Sequence, residues 1–301
     1  MITVGICTYK RPEYLKKLLY ELSKQYCPKG FRYSVLVVDN DKERTAENVV
    51  KNAQKSEAYD LRYMVEPFQN ISRARNMVVK NCCNQYVAFI DDDEFPGKNW
   101  LYNLYYQCIK HNADGVLGPV IPFFETKPPS WLIKSGLCNR KTFATGTAMV
   151  NHKFTRTGNV LIDMRVFDKR MEPFDEKYGL TGGEDSQFFL SALERGARFI
   201  WCNEAVVYET VPEERFTREY YIKRALLRGK MNASRSRICS LSTLKSLAAS
   251  AIYTAILPFA QIAGHHYFMR CLVRNCDHIG KLLSLIKIEP VKKRSSGLNP
   301  T

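Results

Sequence analysis

The stretch YVAFIDDDEFP, residues 86–96, places three adjacent aspartates directly after an apolar run. The run from Tyr86 to Ile90 is short and continuous, which is typical of a strand buried on both faces of a parallel sheet. Adjacent carboxylates repel one another unless a cation or hydrogen-bond donors neutralise them. Oxygen ligands of this kind suit Mg²⁺ or Mn²⁺. The stretch therefore predicts a buried strand that ends at a cation site.

The directions of the three aspartate side chains depend on the local backbone. In an extended stretch Asp91 and Asp93 point the same way, and Asp92 points to the opposite face. A solvated acidic turn is the alternative, and it is the commoner structure for an isolated run of aspartates. Because the three aspartates directly follow a predicted buried strand, the cation site is favoured over the solvated turn.

Further strands and helices alternate on either side of this stretch. Short apolar runs predict strands over 2–8, 33–38 and 61–65. Helical spacing of apolar residues predicts a helix over 13–24. A polar helix-like stretch covers 45–55, and a third helix is predicted over 70–82 with Asn70 or Ser72 near its start. The alternation indicates an α/β fold built from right-handed βαβ units, with a mostly parallel sheet. Ligands bind at the carboxyl ends of such strands, so Asp39 and Asp91 are predicted to lie at one edge.

A second acidic cluster, GGEDSQFF, covers residues 182–189. Glu184 and Asp185 begin a predicted helix over 184–195, where the helix dipole favours anions. A general base also needs a carboxylate that stays ionised at an enclosed site, and a helix N-terminus provides this. From the residues alone, the pair is equally compatible with a helix cap and with a catalytic base.

The rest of the chain separates into an irregular middle and a basic C-terminal part. Residues 115–182 are rich in proline and glycine and are predicted as short strands and loops. A strand is predicted over 197–207 and a basic helical stretch over 213–232. Residues 213–301 contain 16 Lys and Arg against 5 Asp and Glu, and so carry most of the net charge of +15. We predict a first domain over 1–235 and a helical extension over 236–301.

Composition limits the possible settings of the protein. The 301 residues are 45% hydrophobic, which excludes wholesale disorder. Ten scattered cysteines show neither a CxxC pair nor zinc-ligand spacing, so reduced thiols are expected. The chain opens into a strand-like TVGICTY, and no signal peptide is predicted. A cytoplasmic setting is therefore expected.

Taken in order, six stretches resemble the family 2 glycosyltransferases: VGICTYKRPEYL, VLVVDND, NISRARN, VAFIDDDEFP, TGNVLI and GLTGGEDSQFF. The resemblance covers about residues 1–235 and is greatest to bacterial succinoglycan-type enzymes that build surface polysaccharides. The closing stretch VYETVPEERFTREYYIKRALLRG supports that subgroup. The resemblance implies a GT-A catalytic domain, which has a Rossmann-like, mixed but mostly parallel sheet with flanking helices. The basic and apolar helical region after residue 235 would associate with a membrane.

The resemblance also implies roles for individual residues. The donor would be bound by Thr8, Arg11, Asp39, Arg75, Asp91 and Asp92. Asp39 would accept the uracil imide hydrogen, and Arg75 would approach the diphosphate. Asp91 and Asp93 form the family's DxD motif and would ligate Mn²⁺ or Mg²⁺, and Asp185 would be the general base. Three residues complete the site: Asn159 on a loop beside the reacting sugars, Glu184 in the Glu-Asp pair, and Glu209 where many relatives carry a metal-ligating His.

The implied activity is transfer of one sugar from a nucleotide-sugar, with a UDP-sugar expected, to a glycan or lipid-linked glycan. Asp185 would take a proton from the acceptor hydroxyl, which attacks the anomeric carbon from the opposite face and inverts its configuration. The metal would offset the charge on the leaving nucleoside diphosphate. The chain lacks the QxxRW sequence of processive family members, which favours transfer of a single residue.

Two alternatives from other classes remain at this point. A nucleotide-sugar pyrophosphorylase would share a nucleotide-binding α/β fold, but it needs a glycine-rich phosphate loop, and the first loop CTYKRPEY has no glycine. A basic nucleic-acid-binding protein would explain the charged C-terminal part but not the acidic clusters. The sequence also has no zinc-ligand spacing and no helix-turn-helix. Nucleic acid is therefore not an expected partner.

Residues 246–269 contain no Asp, Glu, Lys or Arg. Their number suffices for a transmembrane helix, but Pro258, Gln261 and Gly264 favour a monotopic hairpin or an interfacial helix. The flanking lysines and arginines would meet anionic headgroups. The expected location is the cytoplasmic side of the bacterial inner membrane, with peripheral or monotopic attachment. The alternative is a helical subdomain packed on the catalytic domain with a solvated basic face.

Overall fold

The computed structural model describes residues 1–55, 59–167, 172–180, 182–233 and 240–288. Within these ranges the strands are β1 (Ile2–Thr8), β2 (Tyr33–Asp39), β3 (Asp60–Val65), β4 (Tyr86–Ile90), β5 (Glu94–Pro96), β6 (Gly115–Leu117), β7 (Val120–Phe123), β8 (Asn159–Asp163), β9 (Phe199–Trp201) and β10 (Val207–Thr210). The α-helices are α1 (Pro12–Leu22), α2 (Glu47–Gln54), α3 (Ile71–Lys80), α4 (Trp100–Lys110), α5 (Ser130–Ser135), α6 (Glu184–Glu194), α7 (Arg218–Ala233), α8 (Leu241–Ala263) and α9 (His265–Leu285).

Seven strands form the main sheet, in the order β3-β2-β1-β4-β8-β6-β9. Neighbouring strands are parallel except at β8, which runs antiparallel to both β4 and β6. A smaller sheet has the order β5-β10-β7. The predicted α/β fold with a mixed, mostly parallel sheet is therefore confirmed, and the irregular middle contains the predicted short strands.

The central strands are apolar throughout because helices cover both of their faces. In β2, Val35 belongs to an apolar cluster that includes Leu15 of α1 and Trp100 of α4. The next residue, Leu36, belongs to a second cluster with Val78 of α3 and the aromatic residues of α6. Successive side chains thus point into different cores, which explains why the strand sequence shows no polar alternation.

The chain divides into two compact units. Among the described residues, the first unit lies within 1–123 and 140–210, and the second contains 124–139, 211–233 and 240–288. The predicted boundary between 235 and 236 itself lies outside the described residues. Helix α7 packs against α9 and so belongs with the C-terminal helices.

The second unit is held together by a close crossing of α7 and α9. A Cβ atom at Gly229 would lie 2.2 Å from the carbonyl oxygen of Asp277, and one at Gly280 would lie 2.3 Å from that of Leu226. Both distances are impossible for real side chains, so glycine permits this contact between backbones. α8 then packs along α9, which gives a helical hairpin over 241–285.

Two predicted segments have different boundaries in the structure. The predicted strand over 197–207 is two strands, β9 and β10, because a turn intervenes at Asn203 and Glu204. The uncharged stretch over 246–269 is divided by Gly264, whose φ of 141° ends α8 and precedes α9. All nine cysteines within the described ranges are free, and Cys239 lies outside those ranges.

Candidate active site

The carboxyl ends of β1, β2 and β4 bring the first group of predicted residues together. In the register of the main sheet, Thr8 is the partner of Asp39 across β1 and β2. β1 also pairs with β4, the strand that leads directly into Asp91. The predicted position of both aspartates at one edge of the sheet therefore agrees with the structure.

Thr8 and Arg11, from the first strand and its following loop, hold two of the three aspartates. Thr8 Oγ1 donates to Asp92 Oδ2 at 2.8 Å. Arg11 Nη1 donates to Asp92 Oδ1 and to Asp93 Oδ2, each at 3.2 Å. The chain turns directly after β4, so the side-chain alternation of an extended strand does not apply here. Asp92 and Asp93 consequently share one cation, and the predicted alternation is wrong.

Arg75 is a buried cation between two carboxylates. It lies on α3, and its Nη1 donates to Glu184 while its Nη2 lies 3.4 Å from Asp91 Oδ1. Only 7% of Arg75 is exposed, so solvent screens these pairs little. One guanidinium therefore fixes the carboxylates of both Asp91 and Glu184.

Glu184 and Asp185 begin α6 and differ in what binds them. Glu184 is buried against Arg75. Asp185 is half-buried, and its Oδ1 accepts a 2.6 Å hydrogen bond from the backbone N–H of Ser186. No ion pair within the described part of the chain includes Asp185. Asp185 is thus the member of the pair that can accept a proton without breaking an ion pair.

Asp39 has one satisfied carboxylate oxygen and one unsatisfied one. Its Oδ2 accepts hydrogen bonds from the backbone N–H of Ala46 at 2.9 Å and from the Tyr63 hydroxyl at 2.8 Å. Its Oδ1 is buried and has no hydrogen-bond partner among the described residues. Burial raises the pKa of Asp39, and the bonds from Ala46 and Tyr63 oppose that rise. An unpartnered buried acceptor fits a donor group supplied by a ligand.

The acidic cluster carries more negative charge than its arginines neutralise. Burial, followed by repulsion from Asp92, Asp91 and Glu209, raises the pKa of Asp93 to about 7. Burial, followed by repulsion from Asp91, raises the pKa of Glu94 well above its usual value. A cation would relieve such repulsion, and Mg²⁺ commonly takes one or two protein carboxylates together with substrate phosphates.

The protein residues alone do not form a complete metal site. Across the described ranges, no three His, Cys, Asp or Glu side chains are grouped so that they could hold an ion by themselves. Asp91 and Asp93 would therefore need further ligands from the substrate. The residues present fit a metal that is shared with a diphosphate.

Glu209 lies beside the cluster, on β10. Its register partner across the small sheet is Glu94, and its carboxylate forms an ion pair with Arg140. Repulsion from Glu209 contributes to the raised pKa of Asp93. The predicted secondary position of Glu209 near the metal site is consistent with this placement, although Arg140 engages its carboxylate.

Asn159 does not occupy its predicted position on a loop. It is the first residue of β8, it is fully buried, and its Oδ1 accepts from Trp100 Nε1 at 2.8 Å. Its Nδ2 donates to the carbonyl oxygens of Pro119 and Ala205. The amide therefore joins three segments of the fold, and the predicted position of Asn159 on a loop is wrong, whereas its role beside the reacting sugars stays a prediction.

Three residues that the sequence analysis did not select also lie at the acidic cluster. A Cβ atom at Gly158 would lie 2.8 Å from Glu94 Oε1 and 2.9 Å from Asp91 Oδ2, so a larger residue would collide with the acids. Arg140 pairs with Glu209. Burial, followed by repulsion from Arg140, lowers the pKa of Arg156 to about 10. Gly158 lies within the TGNVLI stretch that carries part of the family resemblance, whereas the two arginines lie in an irregular segment without a periodic signal.

The sequence model of glycosyl transferase family 2 matches residues 3–171. The chain belongs to the family 2 glycosyltransferases. It is an enzyme of this class, and the family membership favours this class over the pyrophosphorylase and the nucleic-acid-binding protein. The succinoglycan biosynthesis protein ExoM of Rhizobium meliloti is 30% identical over 298 residues, which cover 96% of this chain and 94% of ExoM. The glycosyltransferase AglE of Haloferax volcanii is 34% identical over 102 residues, 33% of each chain.

Solved structures of glycosyltransferases share the fold of this family member. TarS 1–349 of S. aureus in complex with UDP has a TM-score of 0.57 at 20% identity, covering 95% of this chain and 90% of that one. The mannosyltransferase PcManGT of Pyrobaculum calidifontis, in complex with GDP-Man and Mn²⁺, has a TM-score of 0.66 at 16% identity, covering 95% and 87%. The predicted GT-A fold is thereby confirmed.

Proposed function

We propose that this glycosyltransferase moves one sugar from a UDP-sugar to a glycan or lipid-linked glycan acceptor in bacterial surface polysaccharide synthesis. The transfer is inverting and depends on a divalent metal. Similarity to ExoM over almost the full length of both chains supports the pathway class, since that relative is a succinoglycan biosynthesis protein. The absence of QxxRW supports the transfer of a single residue.

The observation that carries the mechanism is the difference between Glu184 and Asp185. Arg75 engages Glu184, whereas Asp185 accepts one backbone hydrogen bond and belongs to no ion pair among the described residues. Asp185 therefore acts as the base and takes the proton from the acceptor hydroxyl. The resulting oxygen attacks the anomeric carbon as the bond to the nucleoside diphosphate breaks. A single displacement of this kind inverts the configuration.

Donor binding uses the other residues at the edge of the sheet. The free Oδ1 of Asp39 accepts the imide hydrogen of uracil, which supports uridine as the nucleoside. Thr8 and Arg11 keep Asp92 in place on the nucleotide side, and Arg75 offers its guanidinium to the diphosphate or the donor sugar. The solved TarS structure in complex with UDP-GlcNAc, another protein of the same fold, is consistent with this donor class.

Asp91 and Asp93 would hold Mn²⁺ or Mg²⁺ together with the donor phosphates. The metal offsets the negative charge that develops on the leaving diphosphate. Arg11 contacts Asp93 and Arg75 contacts Asp91, and these contacts support a fixed orientation of the two carboxylates. Glu209 has a secondary place in this site, through its charge beside Asp93.

We further propose that the enzyme works on the cytoplasmic side of the bacterial inner membrane, against an anionic surface. Among the described helices, α8 is the one that has the length and hydropathy of a membrane span, with a mean hydropathy of 1.4. The basic C-terminal part supports an anionic partner.

A donor screen with the full-length protein tests this function. UDP-, GDP- and dTDP-sugars are supplied with bacterial lipid-linked glycans and Mn²⁺, and products are analysed by mass and by NMR of the new linkage. The proposal predicts addition of one sugar from a UDP-sugar, inversion at the anomeric carbon, and loss of transfer in EDTA. Retention of configuration, or full activity in EDTA, would contradict it.

A further inference from the structure

Helix α8 exposes large apolar side chains along one side and packs its other side on α9. Seven large apolar side chains of α8 are exposed: Leu241, Leu244, Leu247, Ile252, Ile256, Phe259 and Ile262. At 100° per residue they lie within about 180° of the helix circumference. Phe259 is 72% exposed and Ile262 is 86% exposed, which is the reverse of a helix in a soluble core. We call these seven residues the apolar face of α8.

The opposite side of α8 is polar and packs on α9. Ser250 Oγ donates to Asn275 Oδ1 at 2.8 Å, and Asn275 Nδ2 donates to Thr254 Oγ1 at 2.9 Å. In the first turn of α8, the carbonyl oxygen of Ser242 accepts a hydrogen bond from Lys281 Nζ of α9 at 3.0 Å. These contacts fix the rotation of α8 within the hairpin, so the apolar face is held outward.

The same contacts show that the two helices run antiparallel, and this bears on whether α8 can cross a membrane. Its 23 residues measure about 35 Å, enough for the hydrocarbon core. Crossing would also carry the packed part of α9 into hydrocarbon, including Arg274, Asp277 and Lys281. Charged groups at that depth are costly. The pairing of α8 with α9 therefore favours a helix that lies in the plane of the interface.

The charges of the hairpin indicate which surface covers this face. Four exposed cations belong to none of the ion pairs within the described ranges: Lys245, Arg270, Arg274 and Lys287. The single acidic residue between 241 and 288 is Asp277, and Arg228 of α7 binds both of its carboxylate oxygens at 2.8 Å. The hairpin thus presents unpaired positive charge next to apolar surface, which complements anionic headgroups above acyl chains.

We infer that the apolar face of α8 is a monotopic membrane-docking surface, which inserts into the headgroup and acyl-chain boundary of an anionic bilayer without spanning it. This inference concerns α8 and the second unit, and it is independent of the transfer chemistry of the first unit. It assigns the proposed membrane association to helix α8, to the apolar face of that helix, and to insertion at the boundary between headgroups and acyl chains.

Vesicle flotation of the full-length protein tests the surface. Phe259→Asp and Ile252→Asp place a charge on the apolar face, whereas Gln261→Asp adds the same charge to an exposed position about 160° around the helix from Phe259. We expect wild type and Gln261→Asp to bind phosphatidylglycerol vesicles alike, and the two other variants to bind at least about tenfold more weakly. Pure phosphatidylcholine vesicles should bind wild type less, because they lack the anionic charge.

Folding and self-association are checked in the same samples. The substituted side chains are exposed, so equal melting temperatures are expected for all four proteins. Equal flotation of all variants, or no flotation of wild type, would overturn the inference. A lipid-free dimer that Phe259→Asp converts to a monomer, without any change in flotation, would assign the face to a second copy of the chain instead.

The insertion depth of α8 is measured with one added tryptophan per variant, whose fluorescence brominated lipids quench. Ile252→Trp reports the middle of α8 and Ile262→Trp its end, and the signal of the three native tryptophans is subtracted. A helix in the interface plane predicts strong and equal quenching of both probes by bromines close to the headgroup. A spanning helix predicts deep quenching at 252 and shallow quenching at 262, and that result would overturn the monotopic arrangement.

Discussion

The first unit buries charge, whereas the second exposes apolar surface. In the first unit, Arg75 is almost fully enclosed and holds Asp91 and Glu184. In the second unit, α8 turns Phe259 and Ile262 to the outside and keeps its serines against α9. Each arrangement would be costly in an isolated soluble domain, because buried ions lose hydration and exposed apolar groups order water.

The difference indicates which kind of partner each unit would bind. Buried charge is tolerated where ion pairs and a charged substrate replace water, which suits a site for a nucleotide-sugar and a metal. Exposed apolar surface is tolerated where lipid replaces water. Both arrangements can be tested by substitutions whose effects differ in size.

The largest effect on stability is expected from Arg75→Met, which removes the cation that two buried carboxylates share. Leaving Asp91 and Glu184 unpaired should lower the free energy of unfolding by about 3–5 kcal/mol. Arg73→Met, two positions away with a side chain 37% exposed, should cost about 1 kcal/mol or less. Urea unfolding measures both variants. Equal losses would show that burial of Arg75 does not strengthen its ion pairs.

A pH-dependent effect of intermediate size is expected from Asp93→Asn. The pKa of Asp93 is raised to about 7, so its protonated form stabilises the fold at pH 4 and this contribution is lost as pH rises through 7. The amide side chain of the variant cannot ionise. In EDTA, the stability of Asp93→Asn relative to wild type should therefore be about 2–4 kcal/mol greater at pH 8.5 than at pH 4.

Urea unfolding at the two pH values measures this gain, with Asp60→Asn at the exposed start of β3 as control. Mn²⁺ added with UDP at pH 8.5 should stabilise wild type more than Asp93→Asn. A gain that is the same at both pH values would contradict the raised pKa, and equal stabilisation by Mn²⁺ and UDP would remove Asp93 from the metal site.

The smallest of these effects is expected from Asn159→Ala. The substitution leaves Trp100 Nε1 and two backbone carbonyls without their partner, which should cost about 1–3 kcal/mol of stability. Because Asn159 joins segments of the fold, the KM for the acceptor should not change. A raised KM with unchanged stability would restore the role beside the sugars that the family resemblance implied.

Sequence patterns predicted the parts of the fold that depend on local interactions. The bounds of β1 and β4 were predicted correctly because a strand buried on both faces is uniformly apolar. The acidic residues at the edge followed from those strands and from the family motifs. The pairing of Arg140 with Glu209 joins positions 69 residues apart through an irregular segment, and no periodicity reports such a contact.

The predicted loop position of Asn159 was wrong for a related reason. An asparagine after TG is compatible with a loop, and its burial depends on Trp100, Pro119 and Ala205 from distant segments. In the C-terminal part, composition predicted an apolar stretch, whereas the direction of its apolar face depends on the partner helix α9. Long-range contacts therefore determine the structural features that local sequence patterns do not specify.

The proposed mechanism requires Asp185, and not Glu184, to be the base. The most direct measurement compares sugar transfer, UDP affinity and melting temperature in Asp185→Asn and Glu184→Gln. Asp185→Asn should keep its donor affinity and melting temperature while transfer falls at least about 10²-fold, because the amide cannot take a proton. Glu184→Gln should instead lower the melting temperature, since Arg75 loses a buried anionic partner. Normal sugar transfer by Asp185→Asn would show that Asp185 is not the base.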